Sequence, residues 1–110
     1  MSPFTHTDTV PWTELGDGIR RKVLAHTPDL MSVLVQFDKG AIGTPHAHDL
    51  HTQIAYVVAG SFEARIGDQS RVLRVGDAFV AAPHVQHGVV ALEDGSTLLD
   101  QFSPRRDDYL

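Results

Sequence analysis

The sequence predicts an all-β domain, a sandwich or barrel, on three observations. Apolar residues recur at every second position, turn-forming residues interrupt them at short intervals, and no stretch carries the 3.6-residue periodicity of an amphipathic helix. Met31, Val33, Val35 and Phe37 alternate with Ser32, Leu34 and Gln36, while Phe62, Ala64 and Ile66 alternate with Glu63 and Arg65. Successive side chains on a strand point to opposite faces, so each run reads as a strand with one face buried.

The elements follow in order. The first dozen residues, rich in Thr, Pro and other polar groups, read as an extended arm (1–12) leading to Trp12. After Gly16-Asp17-Gly18 comes a strand near 19–26, and after Thr27-Pro28-Asp29 another near 30–37. Asp38-Lys39-Gly40 leads towards a strand near 46–50, with further strands near 53–59 and 61–66. Gly67-Asp68 precedes 71–75 and Gly76-Asp77 precedes 78–81; a strand near 86–91 and a last one near 96–102 flank Glu93-Asp94-Gly95. Glycine supplies positive φ and Asp bonds to its own backbone, which is what tight turns demand. The polar arm could pair along a sheet edge of a second copy, since exposed edges need cover, and a homodimer is expected.

The 110 residues can bury roughly two thirds of their unfolded surface, enough for one core and too little for two. A net charge of −5, with basic residues scattered and the pairs Arg20-Arg21 and Arg105-Arg106 isolated, excludes nucleic acid as the main partner. With no cysteine there is no disulfide framework, thiolate metal site or thiol nucleophile. The longest apolar stretch, Ile54 to Ala59, is far shorter than the roughly 20 residues a membrane span needs, so no membrane role is expected. Met1 to His6 lacks the basic-then-apolar pattern of a secretion signal, so a cytoplasmic location is expected.

Seven histidines are the unusual feature. On a strand, His46 and His48 project to the same face, close enough to hold one ion. Gln53 shares a strand face with Ala55 and Val57, and His87 shares one with Val89 and Ala91. Polar groups among small apolar neighbours point into the interior, where an unpartnered imidazole is costly and a cation can resolve the cost. Surface or hydrogen-bonded core histidines are the alternative that this pattern leaves open. His6 and His26 read as surface residues, His51 and His84 as loop groups near the entrance, and Trp12, Phe37, Tyr56 and Phe79 as core or interface aromatics.

The spacing from Gly40 through His46, His48 and Gln53 to Gly60 resembles the first signature of the cupin superfamily, with Gln53 where Glu is usual. Gly76 to His87 resembles the second, with Ala82 and His84 at positions usually Pro and Gly, and Ala91 beyond it where Asn is common. The resemblance implies a single jelly-roll β-barrel (13–110) and a divalent transition metal held by His46, His48, Gln53 and His87. A neutral amide ligand leaves the ion's charge uncompensated and favours Lewis-acid chemistry with nickel, zinc or manganese; iron-dependent dioxygen chemistry commonly employs a carboxylate.

Trp12 to Leu24 and Leu98 to Leu110 narrow the resemblance to the small cupins of pectin and alginate breakdown, which open 4,5-unsaturated uronates to 5-keto-4-deoxyuronate. Four residues separate His48 from Gln53, where three are expected in the nearest relatives, which lengthens the loop at the mouth of the site. The family's Asp-x-Phe-x-Pro-x-Arg segment falls here on Asp100, Phe102, Pro104 and Arg106. The resemblance implies a sugar-acid substrate, Asp100 as proton shuttle, Arg106 as a forked partner of the carboxylate, and Phe102 as pocket wall. A cupin dioxygenase, which would use iron, and a non-catalytic metal-binding sensor are the alternatives.

Overall fold

Burial in the computed structural model, which describes residues 2–110, follows the period-two pattern closely. Among the described residues there are ten strands: β1 (Thr13–Gly16), β2 (Ile19–Thr27), β3 (Leu30–Phe37), β4 (Ile42–His46), β5 (Thr52–Ala59), β6 (Ser61–Ile66), β7 (Gln69–Arg74), β8 (Ala78–Ala81), β9 (His87–Ala91) and β10 (Ser96–Ser103). They form two antiparallel sheets, ordered β1-β2-β3-β10-β5-β8 and β4-β9-β6-β7, the double-sheet jelly roll expected. Among the described residues no helix is long and apolar enough to cross a membrane.

The inward faces of both sheets meet in one core. Phe37, Ala55, Val57 and Leu98 from the larger sheet pack on Phe62, Ala64, Val89 and Ala91 from the smaller one. The rings of Phe37 and Phe62 meet edge to face at 5.1 Å, joining the two layers. A second cluster, Met31, Val33 and Phe102, lies on the same face of the larger sheet. The chain end covers it: after β10 a 3₁₀ turn, Asp107–Tyr109, lays Tyr109 on this cluster.

Three elements depart from the sequence reading. β1 was not anticipated, because all four of its residues are exposed and carry no alternation of burial. β7 starts two residues earlier than expected and is exposed along almost its whole length. The strand expected near 46–50 lies at Ile42–His46, and the residues from 47 to 51 form a loop. His46 ends the strand opposite His87, so His48 reaches the interior from a loop rather than from a shared strand face.

The arm lies along its own chain. Thr5 Oγ1 donates to the Leu24 carbonyl at 2.6 Å, and Lys22 Nζ donates to the Thr7 carbonyl at 3.0 Å while lying 4.5 Å over the Trp12 ring. These contacts account for the burial of Lys22 on an outward-facing position. Tyr56 faces outward, beside Ile54, Val58 and Val80, which are exposed as well.

Candidate metal centre

One end of the barrel interior is apolar; the other gathers His48, Gln53, His87 and Asp100, all buried. Each arrives by simple strand geometry. Gln53 begins the inward series Gln53, Ala55, Val57 of β5, and His87 begins the series His87, Val89, Ala91 of β9. Asp100 and Phe102 follow Leu98 on the inward face of β10. Gly88 lets β4 close on β9, because a Cβ there would stand 2.9 Å from Pro45 Cγ and 3.1 Å from the Gly43 carbonyl. That approach sets His46 opposite His87.

The nitrogens of His46, His48 and His87 lie within 4.8 Å of one another, and Gln53 Oε1 lies 3.1 Å from His48 Nε2 and 3.0 Å from His87 Nε2. His46 Nδ1 lies 2.8 Å from the Thr44 carbonyl and His87 Nδ1 3.1 Å from that of Val85. Carbonyls only accept, so in the neutral rings each Nδ1 carries the proton and each Nε2 keeps its lone pair. The His87 lone pair then faces an amide oxygen at 3.0 Å, two acceptors with no proton between them. This donor set of imidazole nitrogens and one amide oxygen fits a divalent transition ion.

Electrostatics agree. Burial pushes the His48 pKa down to about 4; Gln53 opposes this, while the charges of Arg106, His46 and His87 add to it. Burial likewise lowers His87, against the Val85 carbonyl. Both rings are therefore neutral at pH 7, as metal ligation requires. Burial pushes Asp100 up to about 7, and the Gln53 amide and the Arg106 charge draw it part of the way back.

Beside the four converging groups lie the other expected residues. Asp100 Oδ1 and Arg106 Nη1 are both buried with no hydrogen-bond partner, a state that demands an explanation in a native interior. The Phe102 ring meets His48 edge-on at 5.8 Å and lies 5.2 Å from the Arg106 guanidinium carbon, forming a wall between them. Arg106 also engages Asp108 through Nε at 3.0 Å and Nη2 at 2.8 Å. A forked contact to a substrate is thereby confined to its Nη1–Nη2 end.

His51 borders the site, 5.9 Å from the His48 ring, with Nε2 3.2 Å from the Arg105 carbonyl. His84 is exposed; its backbone N–H donates to the His48 carbonyl at 2.7 Å and so ties the ligand loop down. His26, read as a surface residue, is half-buried and lies 3.3 Å from Arg105 Nη1. Sequence reasoning missed Tyr109, which stacks 4.4 Å from the Arg106 guanidinium carbon, and Arg21, which stacks 3.8 Å from the other partner of the group, the Tyr109 ring. No local spacing signals either residue, since each depends on the chain end returning to β2.

The chain belongs to the cupin family: the family's cupin domain matches residues 33–99, and the double sheet and histidine cluster agree with it. Among curated proteins it is 59% identical to pectin degradation protein KdgF of Dickeya dadantii (strain 3937), over the whole of both chains. The solved structure of KdgF from Halomonas sp. is 53% identical, covers both chains completely and superposes with a TM-score of 0.97. An RmlC-like cupin from Shewanella frigidimarina is 39% identical, with a TM-score of 0.94 over the whole of this chain and 97% of that one.

Proposed function

We propose that this chain is a metal-dependent enzyme that opens the ring of 4,5-unsaturated uronates, giving 5-keto-4-deoxyuronate. The observation that carries the reading is the pair of buried atoms without partners, Asp100 Oδ1 and Arg106 Nη1, beside His46, His48, Gln53 and His87. A uronate brings what the two atoms lack, a carboxylate for the guanidinium and a hydroxyl for the carboxylate. The likeness to a protein named for pectin degradation points to the same sugar acids.

His46, His48, Gln53 and His87 would hold the ion, which supplies Lewis acidity towards the sugar oxygens when bound. Arg106 binds the substrate carboxylate through its Nη1 end and orients the ring. Asp100 takes the hemiacetal hydroxyl proton at Oδ1 as the bond between C1 and the ring oxygen breaks. It then delivers a proton to C4 as the resulting enolate becomes the 5-keto group, so no atom is gained or lost. A carboxyl titrating near neutrality suits both transfers. Phe102 closes the wall and keeps water from the enolate. A homodimer is the assembly we favour, supported by the outward apolar group Ile54, Tyr56, Val58 and Val80 on the larger sheet.

The test follows the ultraviolet absorbance of the enol ether in a 4,5-unsaturated galacturonate, with the protein as purified, stripped by a chelator and resupplied with nickel, zinc or manganese. Acceleration over the spontaneous rate that is lost on stripping and restored by metal is the expected result. A metal-loaded protein that leaves the spontaneous rate unchanged overturns the reading.

A further inference from the structure

The C-terminal turn and the end of β10 hold Arg106 by an ion pair and two aromatic rings. Asp108 accepts from Nε and Nη2 at 3.0 and 2.8 Å, Phe102 lies 5.2 Å from the guanidinium carbon, and Tyr109 lies 4.4 Å from it. Tyr109 is itself packed on the Met31, Val33 and Phe102 cluster and held by Arg21, whose guanidinium carbon is 3.8 Å from its ring centre. A guanidinium has five N–H groups in a rigid plane. With the Nε–Nη2 edge taken by Asp108 and the rings of Phe102 and Tyr109 packed beside the group, what remains is the Nη1 end, which is buried and has no partner.

We propose that Asp108 and Tyr109 are positioning residues of the uronate site, holding the Arg106 guanidinium by one edge and by stacking so that its Nη1 end meets the substrate carboxylate. This rests on Arg106 being the carboxylate anchor. Exposure separates the two partners of the ion pair: the Arg106 side chain is 15% exposed and that of Asp108 62%, so the contact ties a half-sunk group to the surface turn.

Charge and positioning predict opposite signs. Asp108 places a negative charge near the site of an anionic ligand, so on charge alone its removal strengthens uronate binding. If its role is to orient Arg106, removal frees a flexible guanidinium and weakens binding. The experiment is calorimetric titration of the metal-loaded protein with D-galacturonate, a saturated uronate without the 4,5 double bond, accompanied by KM and kcat on the unsaturated substrate.

Asp108→Ala is expected to weaken galacturonate binding about tenfold and to raise KM more than it lowers kcat. Asp108→Glu recovers most of the loss. Tyr109→Phe, which keeps the stacking ring, binds like the parent, and Tyr109→Ala does not. If Asp108→Ala fails to fold, Asp108→Asn, which retains one acceptor oxygen, carries the test with a smaller loss. Binding by Asp108→Ala that equals or exceeds the parent's, while Arg106→Ala loses it, overturns the positioning role alone. Unchanged binding by Arg106→Ala instead removes the anchor, and the positioning role with it.

Discussion

Gln53 carries an uncommon burden for an amide, since its oxygen stands 3.0 to 3.1 Å from two imidazole nitrogens. In Gln53→Ala the donor set loses its only oxygen, and affinity for zinc or nickel is expected to fall about 10- to 100-fold in competition with a chromophoric chelator. Gln53→Glu should act the other way, binding the ion more tightly while blunting its Lewis acidity, so that turnover falls as affinity rises. Equal affinities across the three proteins would remove Gln53 from the donor set. Gln53 and His87 were legible through strand alternation, whereas His46 and His48 were picked out by their spacing and its resemblance to the cupin signature, the strand read for them being misplaced. The contact of Arg106 with the Tyr109 ring was not legible, because it depends on Tyr109 packing on the Met31, Val33 and Phe102 cluster.

The same residues set opposing pH slopes in the metal-free protein. His48 titrates at about 4 in the fold against an ordinary 6.5, so between those values the unfolded chain binds more protons and stability rises with pH. Asp100 titrates at about 7 against an ordinary 3.8, so across that window the folded chain binds more protons and stability falls as pH rises. The two partly cancel. Asp100→Asn removes one side of the balance, and its chelated form is expected to gain stability more steeply than the parent from pH 4.5 to 6.5. Urea midpoints at three pH values check this, and parallel slopes for the two proteins would refute it.

At the scale of elements, strands were legible where one face is buried and illegible where none is. β3, β5 and β6 alternate cleanly and were placed within a residue or two; β1 and most of β7 are exposed on both sides and give no period to read. β4 was misplaced because His46-Ala47-His48 imitates strand alternation, whereas the ladder to β9 ends at His46. What holds β4 in place is the close approach over Gly88. Gly88→Ala should therefore force β4 outward, costing about 1–3 kcal/mol in urea unfolding and loosening metal binding by separating His46 from His87. A variant with parent stability and parent metal affinity would show that β4 yields without strain.

At the scale of the whole molecule, the candidate site gathers groups from both sheets and from the loop that connects them. His46 and His87 belong to the smaller sheet, Gln53 to the larger, and His48 to the loop between them. An ion held by all four would cross-link the two layers at the polar end of the barrel. The unfolded chain can offer only near neighbours such as His46, His48 and His51 without bringing in His87, so the ion binds the folded state far better than the unfolded one. At a free concentration 100 times Kd, such linkage stabilises by about 2.7 kcal/mol. For a domain of this size roughly 4 °C accompanies each kcal/mol, so the thermal midpoint of chelated protein should climb by about 10 °C on titration with zinc or nickel. The climb should continue with the logarithm of metal concentration rather than saturate at one equivalent. His87→Ala, which breaks the link between layers, should show little of it. A midpoint indifferent to metal in the parent, or a His87→Ala curve that follows the parent's, would mean that the layers are held by their apolar core alone and that any ion bound is incidental to the fold.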